Sequence, residues 1–158
     1  MRFPRPLPGR VRRNESGAAA VEFALVTTLL FPLVLGIIAF GIVFAQELAL
    51  GNAARQTARY GVVADRSCAD IVAEARHASN TIMMKGTDTT VTVKVGKSPT
   101  AATNRCAGPV TAVPCSGSTT GDNIYVSVGY VSELIIPLGP VDHDFELQGD
   151  GVFRCEFS

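Results

Sequence analysis

One uncharged stretch constrains this chain more than any other feature. From Phe23 to Ala45 the sequence runs for 23 residues without Asp, Glu, Lys or Arg. As a helix it would be roughly 35 Å long, and the hydrocarbon core of a bilayer is about 30 Å thick. The stretch therefore predicts a transmembrane helix over residues 18–45. A secretory signal peptide cleaved after Ala45 is the second interpretation, but the apolar region of such signals spans only about 7–15 residues.

Charge is placed unevenly around this stretch. Five arginines and no acidic residue precede Glu15, namely Arg2, Arg5, Arg10, Arg12 and Arg13. Positive charge favours the cytoplasmic side of a membrane, so residues 1–17 are predicted to be a basic cytoplasmic leader and everything after Ala45 to be extracytoplasmic. The whole chain has 14 basic and 14 acidic residues, whereas nucleic-acid binding requires a basic surface. We therefore expect no nucleic-acid partner.

All four cysteines follow the apolar stretch, at Cys68, Cys106, Cys115 and Cys155. An even number in a small exported domain favours disulfides. Zinc is the alternative, but the chain contains no C-x-x-C pair, which structural zinc sites commonly use. The sequence leaves three pairings open. We favour Cys106–Cys115 within one loop, with Cys68–Cys155 joining a helix start to the last strand.

Helix-forming residues continue beyond the apolar stretch, over 46–64. Small residues recur at every fourth position and form what we call the small-residue ridge: Gly41, Ala45, Ala49, Ala53, Thr57 and Gly61. Residues spaced by four lie on one face of a helix, and small side chains allow another element to approach closely. The partner of the ridge is either the protein's own sheet or a similar helix in another subunit, and both interpretations stay open.

Residues 65–158 are predicted to form a small disulfide-tied α+β extracytoplasmic domain. A short helix is expected over Ala69–Asn80, and alternating apolar residues predict strands near 89–95, 123–131 and 145–157. Residues 96–122 read as a polar loop and Leu134–Pro140 as an apolar turn. Gly149–Gly151 reads as a bulge or a tight turn, and because the flanking arms are short we favour a bulge or bend. The expected fold is thus a long helix, a short helix and an antiparallel sheet of about three strands packed on the outer half of the long helix.

The segment Gly17-Ala18-Ala19-Ala20-Val21-Glu22-Phe23 resembles the processing site of type IV prepilins, especially the type IVb branch. The resemblance implies cleavage after Gly17, which makes Ala18 the first residue of the processed chain and Glu22 the fifth. The new amine and the Glu22 carboxylate would then lie four residues apart on one helix face. A carboxylate near a bilayer is tolerable when it meets such a cation, so Glu22 and Phe23 are assigned to assembly and docking. The alternative is a plain signal anchor with an incidental Glu22.

A second motif extends the resemblance. The apolar stretch is followed by Asn52-Ala53-Ala54-Arg55 and Ala58-Arg59-Tyr60, and the combination is similar to the TadE-like family of the tight-adherence (Tad, or Flp) pilus system. This resemblance implies a pilin-like fold and a membrane-inserted minor pilin or pseudopilin that acts in pilus assembly and adhesion. It also implies three kinds of partner: other pilins or pseudopilins, Tad assembly proteins and a prepilin peptidase. The alternative is a single-pass anchor that displays a disulfide-stabilised binding module outside any pilus.

Catalytic and metal chemistry have little support in the sequence. The chain has two histidines, His77 and His143. His77 reads as a partner of a helix C-terminus, and Asp142-His143-Asp144 reads as a solvated loop, since three consecutive side chains rarely converge on one ion. No Gly-rich phosphate-binding loop is present. We therefore expect no catalytic residues, no metal and no cofactor, and the resemblance likewise implies a family without catalytic activity.

Overall fold

The computed structural model of the chain describes residues 15–63, 65–82, 84–134 and 143–156. The elements are α1 (Glu15–Gly61), α2 (Cys68–Ser79), a single-turn 3-10 helix (Gly86–Asp88), β1 (Thr90–Gly96), β2 (Thr103–Asn104), β3 (Asn123–Leu134) and β4 (His143–Arg154). The predicted α+β class, with a long helix, a short helix and a small antiparallel sheet, is confirmed. Residues 1–14 of the predicted leader, and most of the predicted Leu134–Pro140 turn, lie outside the described residues.

α1 is one helix of 47 residues that contains both the apolar stretch and its predicted continuation. At about 1.5 Å per residue it is roughly 70 Å long. The helix ends at Gly61, and Asp65 adopts a positive φ of 67°, a conformation that Asp tolerates better than most residues. The guanidinium carbon of Arg66 lies 4.5 Å from the centre of the Tyr60 ring. This cation–π contact closes the corner between the two helices.

Ser67 and Asp70 form a capping box at the start of α2. The Ser67 hydroxyl accepts a hydrogen bond from the Asp70 amide at 3.3 Å, and the Asp70 carboxylate accepts from the Ser67 amide at 3.1 Å. The carboxylate also accepts from the Ser67 hydroxyl at 2.7 Å. These bonds, first that of the hydroxyl and then that of the amide, hold the pKa of Asp70 below its ordinary value. The helix therefore begins one residue before the predicted Ala69.

The sheet has the strand order β2-β1-β3-β4, and all neighbours are antiparallel. In the register, Val93 lies opposite Val126 and Val95 opposite Ile124, so the alternating apolar residues share one face. Both helices cover this face. The core consists mainly of the buried residues Leu50, Ala54, Ala58, Ile71, Ala75, Val93, Val95, Ile124, Val126 and Val128. The opposite face carries the polar residues of the strands.

The sheet has four strands rather than the predicted three. β2 lies inside the predicted polar loop and pairs with β1 through Asn104 and Thr103, opposite Lys94 and Val95. A strand of two residues has no room for an alternating pattern, so periodicity could not detect it.

The predicted bulge or bend at Gly149–Gly151 is wrong. β4 pairs with β3 residue for residue through this region, with Val128 opposite Gly149 and Val126 opposite Gly151. A bulge would place two residues opposite one. The two glycines serve helix packing, as described below.

The favoured disulfide pairing is also wrong. The structure joins Cys68 to Cys106 and Cys115 to Cys155, with Cα–Cα distances of 5.5 and 5.6 Å. The loop that carries Cys106 and Cys115 does not close on itself but lies over the start of α2, where the amide of Cys68 donates to the carbonyl of Ala112 at 2.8 Å. At its other end the amide of Cys155 donates to Asp122 at 3.0 Å. The contacts of the loop with the start of α2 and with the chain after β4 decide the pairing. The spacing of the cysteines along the chain does not predict these contacts.

Candidate functional site

The inner half of α1, residues 17–45, is the main candidate site because it exposes apolar side chains on all sides. None of these residues is buried, and the first buried residue along the helix is Gln46. Phe23 is 71 % exposed and Leu29 is 73 % exposed. A helix of a soluble domain buries an apolar stripe against its core. α1 is long and apolar enough to cross a membrane.

The predicted processing and docking residues lie in the first turns of this half. Gly17, Ala18, Glu22 and Phe23 are all exposed. A Cβ added at Gly17 would meet no atom within 4 Å. No described part of the domain therefore requires glycine at this position.

The structure divides the small-residue ridge into two parts. Ala53, Thr57 and Gly61 are buried in the protein's own domain, and a Cβ added at Gly61 would lie 2.8 Å from Cδ1 of Ile124. Ala49 is half-buried beside the core.

The inner part of the ridge behaves differently. Gly41 and Ala45 are exposed, and a Cβ added at Gly41 would meet no atom within 4 Å. Intramolecular packing thus accounts for the outer part of the ridge, from Ala49 onward, and leaves Gly41 and Ala45 available to another molecule.

A family model described as TadE-like protein matches residues 17–59 of this chain. The segment is TadE-like. The predicted resemblance is confirmed over this segment, which begins at the predicted processing glycine and ends at Arg59, one residue before the last residue of the Asn52–Tyr60 motif. Comparisons with curated proteins and with solved structures found no match.

The TadE-like family is structural and pilus-associated, and it is not known as enzymatic. The match covers 43 of the 158 residues, and over that segment the chain is similar to proteins associated with the Tad pilus. In the part of the chain that the structure describes, no group of three His, Cys, Asp or Glu side chains is arranged to hold a metal ion. His143 is the first residue of β4, and Asp142 lies outside the described residues.

The second motif of the TadE-like segment is a packing motif. Ala53, Ala54 and Ala58 are buried, whereas Arg55 and Arg59 are exposed. The alanines allow α1 to lie close to the sheet and to α2, because a methyl side chain adds little thickness. The motif thus attaches the helix to the domain and leaves its charges in solvent.

Two glycines on β4 complete this contact. A Cβ at Gly149 would collide with the backbone of Leu50 and Gly51, and a Cβ at Gly151 would collide with the backbone carbonyl of Ala54. Two residues of strand span about 6.8 Å and four residues of helix span about 6 Å. The spacing of the two glycines along β4 therefore matches the spacing of Leu50 and Ala54 along α1. We call this the glycine–helix contact. Sequence reasoning missed it, although a Gly-x-Gly strand together with a small-residue helix face was the available signal.

A buried polar pair marks the point where α1 reaches the domain. The Ser132 hydroxyl donates to Oε1 of Gln46 at 2.6 Å, and both side chains are buried. Gln46 directly follows the last residue of the uncharged stretch. The bond therefore attaches the end of β3 to the helix at the predicted membrane boundary.

Proposed function

We propose that this protein is a minor pilin or pseudopilin that acts in the assembly of a Tad (Flp)-type pilus at the bacterial cell envelope, with a role connected to adhesion. The observation that carries the proposal is the exposed start of the TadE-like segment. Gly17 and Glu22 contribute nothing to the packing of the described domain. A purely structural anchor needs neither residue there, whereas processing and docking need both.

In this proposal α1 crosses the membrane once, with the arginine-rich end in the cytoplasm. The domain after Ala45 is extracytoplasmic, in agreement with its two disulfides. A prepilin peptidase cuts between Gly17 and Ala18. The amine of Ala18 and the carboxylate of Glu22 then present opposite charges on one helix face to each other or to a neighbouring pilin.

Mass spectrometry of the protein recovered from its own membrane tests the processing step. We expect an N-terminus at Ala18 and its loss in Gly17→Val. Gly36→Val is the matched control, because Gly36 lies in the same helix and a Cβ there also meets nothing within 4 Å. An intact chain in the unmodified protein, or an N-terminus at Gln46, would contradict the proposal.

Glu22→Gln tests the docking step. The variant should insert in the membrane as the unmodified protein does, because the apolar stretch is unchanged, but pilus production and surface attachment should fall. If replacement of both Gly17 and Glu22 leaves pilus production and attachment intact, the protein is instead a single-pass anchor that displays a binding module.

Contacts with other pilins are expected through the exposed part of the ridge. Gly41→Cys and Ala45→Cys should crosslink to neighbouring pilins in intact cells. Ala53→Cys is the internal control, because Ala53 is buried in the protein's own domain. Equal crosslinking at all three positions would show that the contact does not follow the observed division of the ridge.

A further inference from the structure

The direction of α2 places one turn of the domain at the membrane end of α1. Nε2 of Gln56 donates to Oε1 of Glu74 at 2.7 Å, and Gly61 packs beside Ile71. Residues later in α2 therefore contact residues earlier in α1, so the two helices are antiparallel. The chain that leaves α2 at Ser79 has returned toward the inner half of α1.

A tight turn follows, and it exposes an isoleucine. The amide of Thr81 donates to the carbonyl of Met84 at 2.9 Å, and the amide of Met84 donates back to Thr81 at 3.3 Å. Ile82 inside this turn is fully exposed. Turn positions favour Gly, Asn, Asp, Ser and Pro, so an exposed isoleucine here has no local structural cause.

The turn is firmly attached to the domain. Met84 is buried in the core, and the amide of Gly86 donates to Oδ1 of Asn80 at 3.4 Å. Gly86 packs directly beneath the backbone carbonyl of Arg76. Ile82 is therefore presented on a braced turn.

Ile82 lies beside the last part of the uncharged stretch. It shares the lining of one cavity of about 720 Å³ with Ile42, Gln46 and Val131. Ile42 belongs to the uncharged stretch, and Val131 at the end of β3 is 49 % exposed. The apolar surface of the span thus continues onto the underside of the domain through Ile82 and Val131.

We propose that Ile82 and Val131 contact the boundary between headgroups and acyl chains in the outer leaflet of the bilayer that α1 crosses. The inference rests on the membrane insertion in the proposed function. Lys85, Asp88 and Glu133 also line this cavity, and their formal charges leave one net negative charge. Burial of apolar surface is therefore the driving force, and the contact requires no anionic lipid and survives added salt.

Lipid quenching of a single label tests the contact. The four native cysteines are all in disulfides, so Ile82→Cys supplies one reactive thiol for an environment-sensitive fluorophore. The labelled full chain is reconstituted in phosphatidylcholine vesicles with nitroxide-labelled lipid. We expect a blue-shifted emission and strong quenching at position 82, both unchanged by high salt.

Two further labelled variants separate the possible outcomes. Val110→Cys is the matched negative control, because Val110 is an apolar residue, 65 % exposed, at the opposite end of the domain beside the start of α2. Leu29→Cys reports on the span. Quenching at position 29 without quenching at 82 overturns this inference and leaves the proposed function intact, whereas no quenching at 29 contradicts membrane insertion itself.

A protein partner is the remaining outcome. If the label at position 82 is shielded only at high ratios of protein to lipid, and lipid nitroxide does not quench it, then the surface meets a second copy of the chain and the lipid contact is overturned. Quenching that persists as the vesicles are diluted with lipid supports the contact.

Discussion

The glycine–helix contact makes a sharp prediction about stability. In Gly151→Ala the new Cβ would collide with the backbone carbonyl of Ala54 and lie 2.7 Å from the amide nitrogen of Arg55. Because these are backbone atoms of a helix that Gly149 holds in the same way, no rotamer change relieves the collision. Overpacking of this kind destabilises a fold by about 1–3 kcal/mol. We expect a loss of about 2 kcal/mol in the free energy of unfolding.

The matched control is Gly129→Ala on the neighbouring strand. Its Cβ would point to the outer face of the sheet and meet Oγ1 of Thr90 at 2.6 Å, and rotation of that hydroxyl relieves the contact. The unfolded chain also loses entropy when Gly becomes Ala, which favours the folded state by about 0.4–1 kcal/mol. We therefore expect Gly129→Ala to stay within about 1 kcal/mol of the unmodified protein.

Thermal unfolding of the full chain in detergent micelles measures both variants. All three tyrosines follow the uncharged stretch, so the tyrosine band of the near-ultraviolet circular dichroism reports on the domain and not on the span. A loss of 2 kcal/mol lowers the Tm of a domain of this size by about 10 °C. Equal Tm values for the two variants would refute the close approach of α1 to β4, and so would rescue of Gly151→Ala by Ala54→Gly, since the collision is with the main chain.

Three further predictions concern the domain. Oγ1 of Thr57 is buried with no hydrogen-bond partner among the described residues, and a buried unsatisfied polar group costs about 1–3 kcal/mol, so Thr57→Val should raise the free energy of unfolding by about 1 kcal/mol while Thr57→Ser should not. Replacement of Cys68 and Cys106 by Ser should lower it by about 2–4 kcal/mol, and peptide mapping without reduction should recover the Cys68–Cys106 bridge from the unmodified protein; a Cys106–Cys115 peptide would contradict the structure. The pKa of Asp70 is lowered in the folded state. The stabilising effect of the carboxylate is therefore complete above its ordinary pKa of about 3.9 and is lost as the pH falls through the lowered value. Asp70→Asn should flatten the acid end of the curve of Tm against pH, and an unchanged curve would count against the capping box.

Local chemistry made several elements predictable. The absence of charge from Phe23 to Ala45 and the helix formers after it predict one long helix, because helix formation depends on nearby residues. The alternating valines of β1 are a local signal of the same kind. The TadE-like resemblance was readable for the same reason, since its motifs are short and contiguous.

The failures concern contacts between residues that are far apart in the chain. Gly149 and Gly151 read as a bulge because glycine often marks one. The structure instead requires glycine there because the backbone of a helix about a hundred residues earlier in the chain lies too close for a side chain. The pairing of Cys68 with Cys106 depends on where a polar loop docks. Neither the helix backbone nor the docked loop produces a recognisable pattern in the sequence next to these glycines and cysteines.

The sequence by itself therefore determined the order of the structural segments: a helix with one apolar half and one small-residue half, followed by a small α+β domain. Hydropathy and helix propensity decide this, because they act residue by residue. Only the tertiary structure decided how the small-residue ridge is used, since burial of Ala53, Thr57 and Gly61 against the protein's own domain leaves Gly41 and Ala45 exposed. The physical reason is that a ridge shows where a partner can approach, whereas packing determines which partner occupies it.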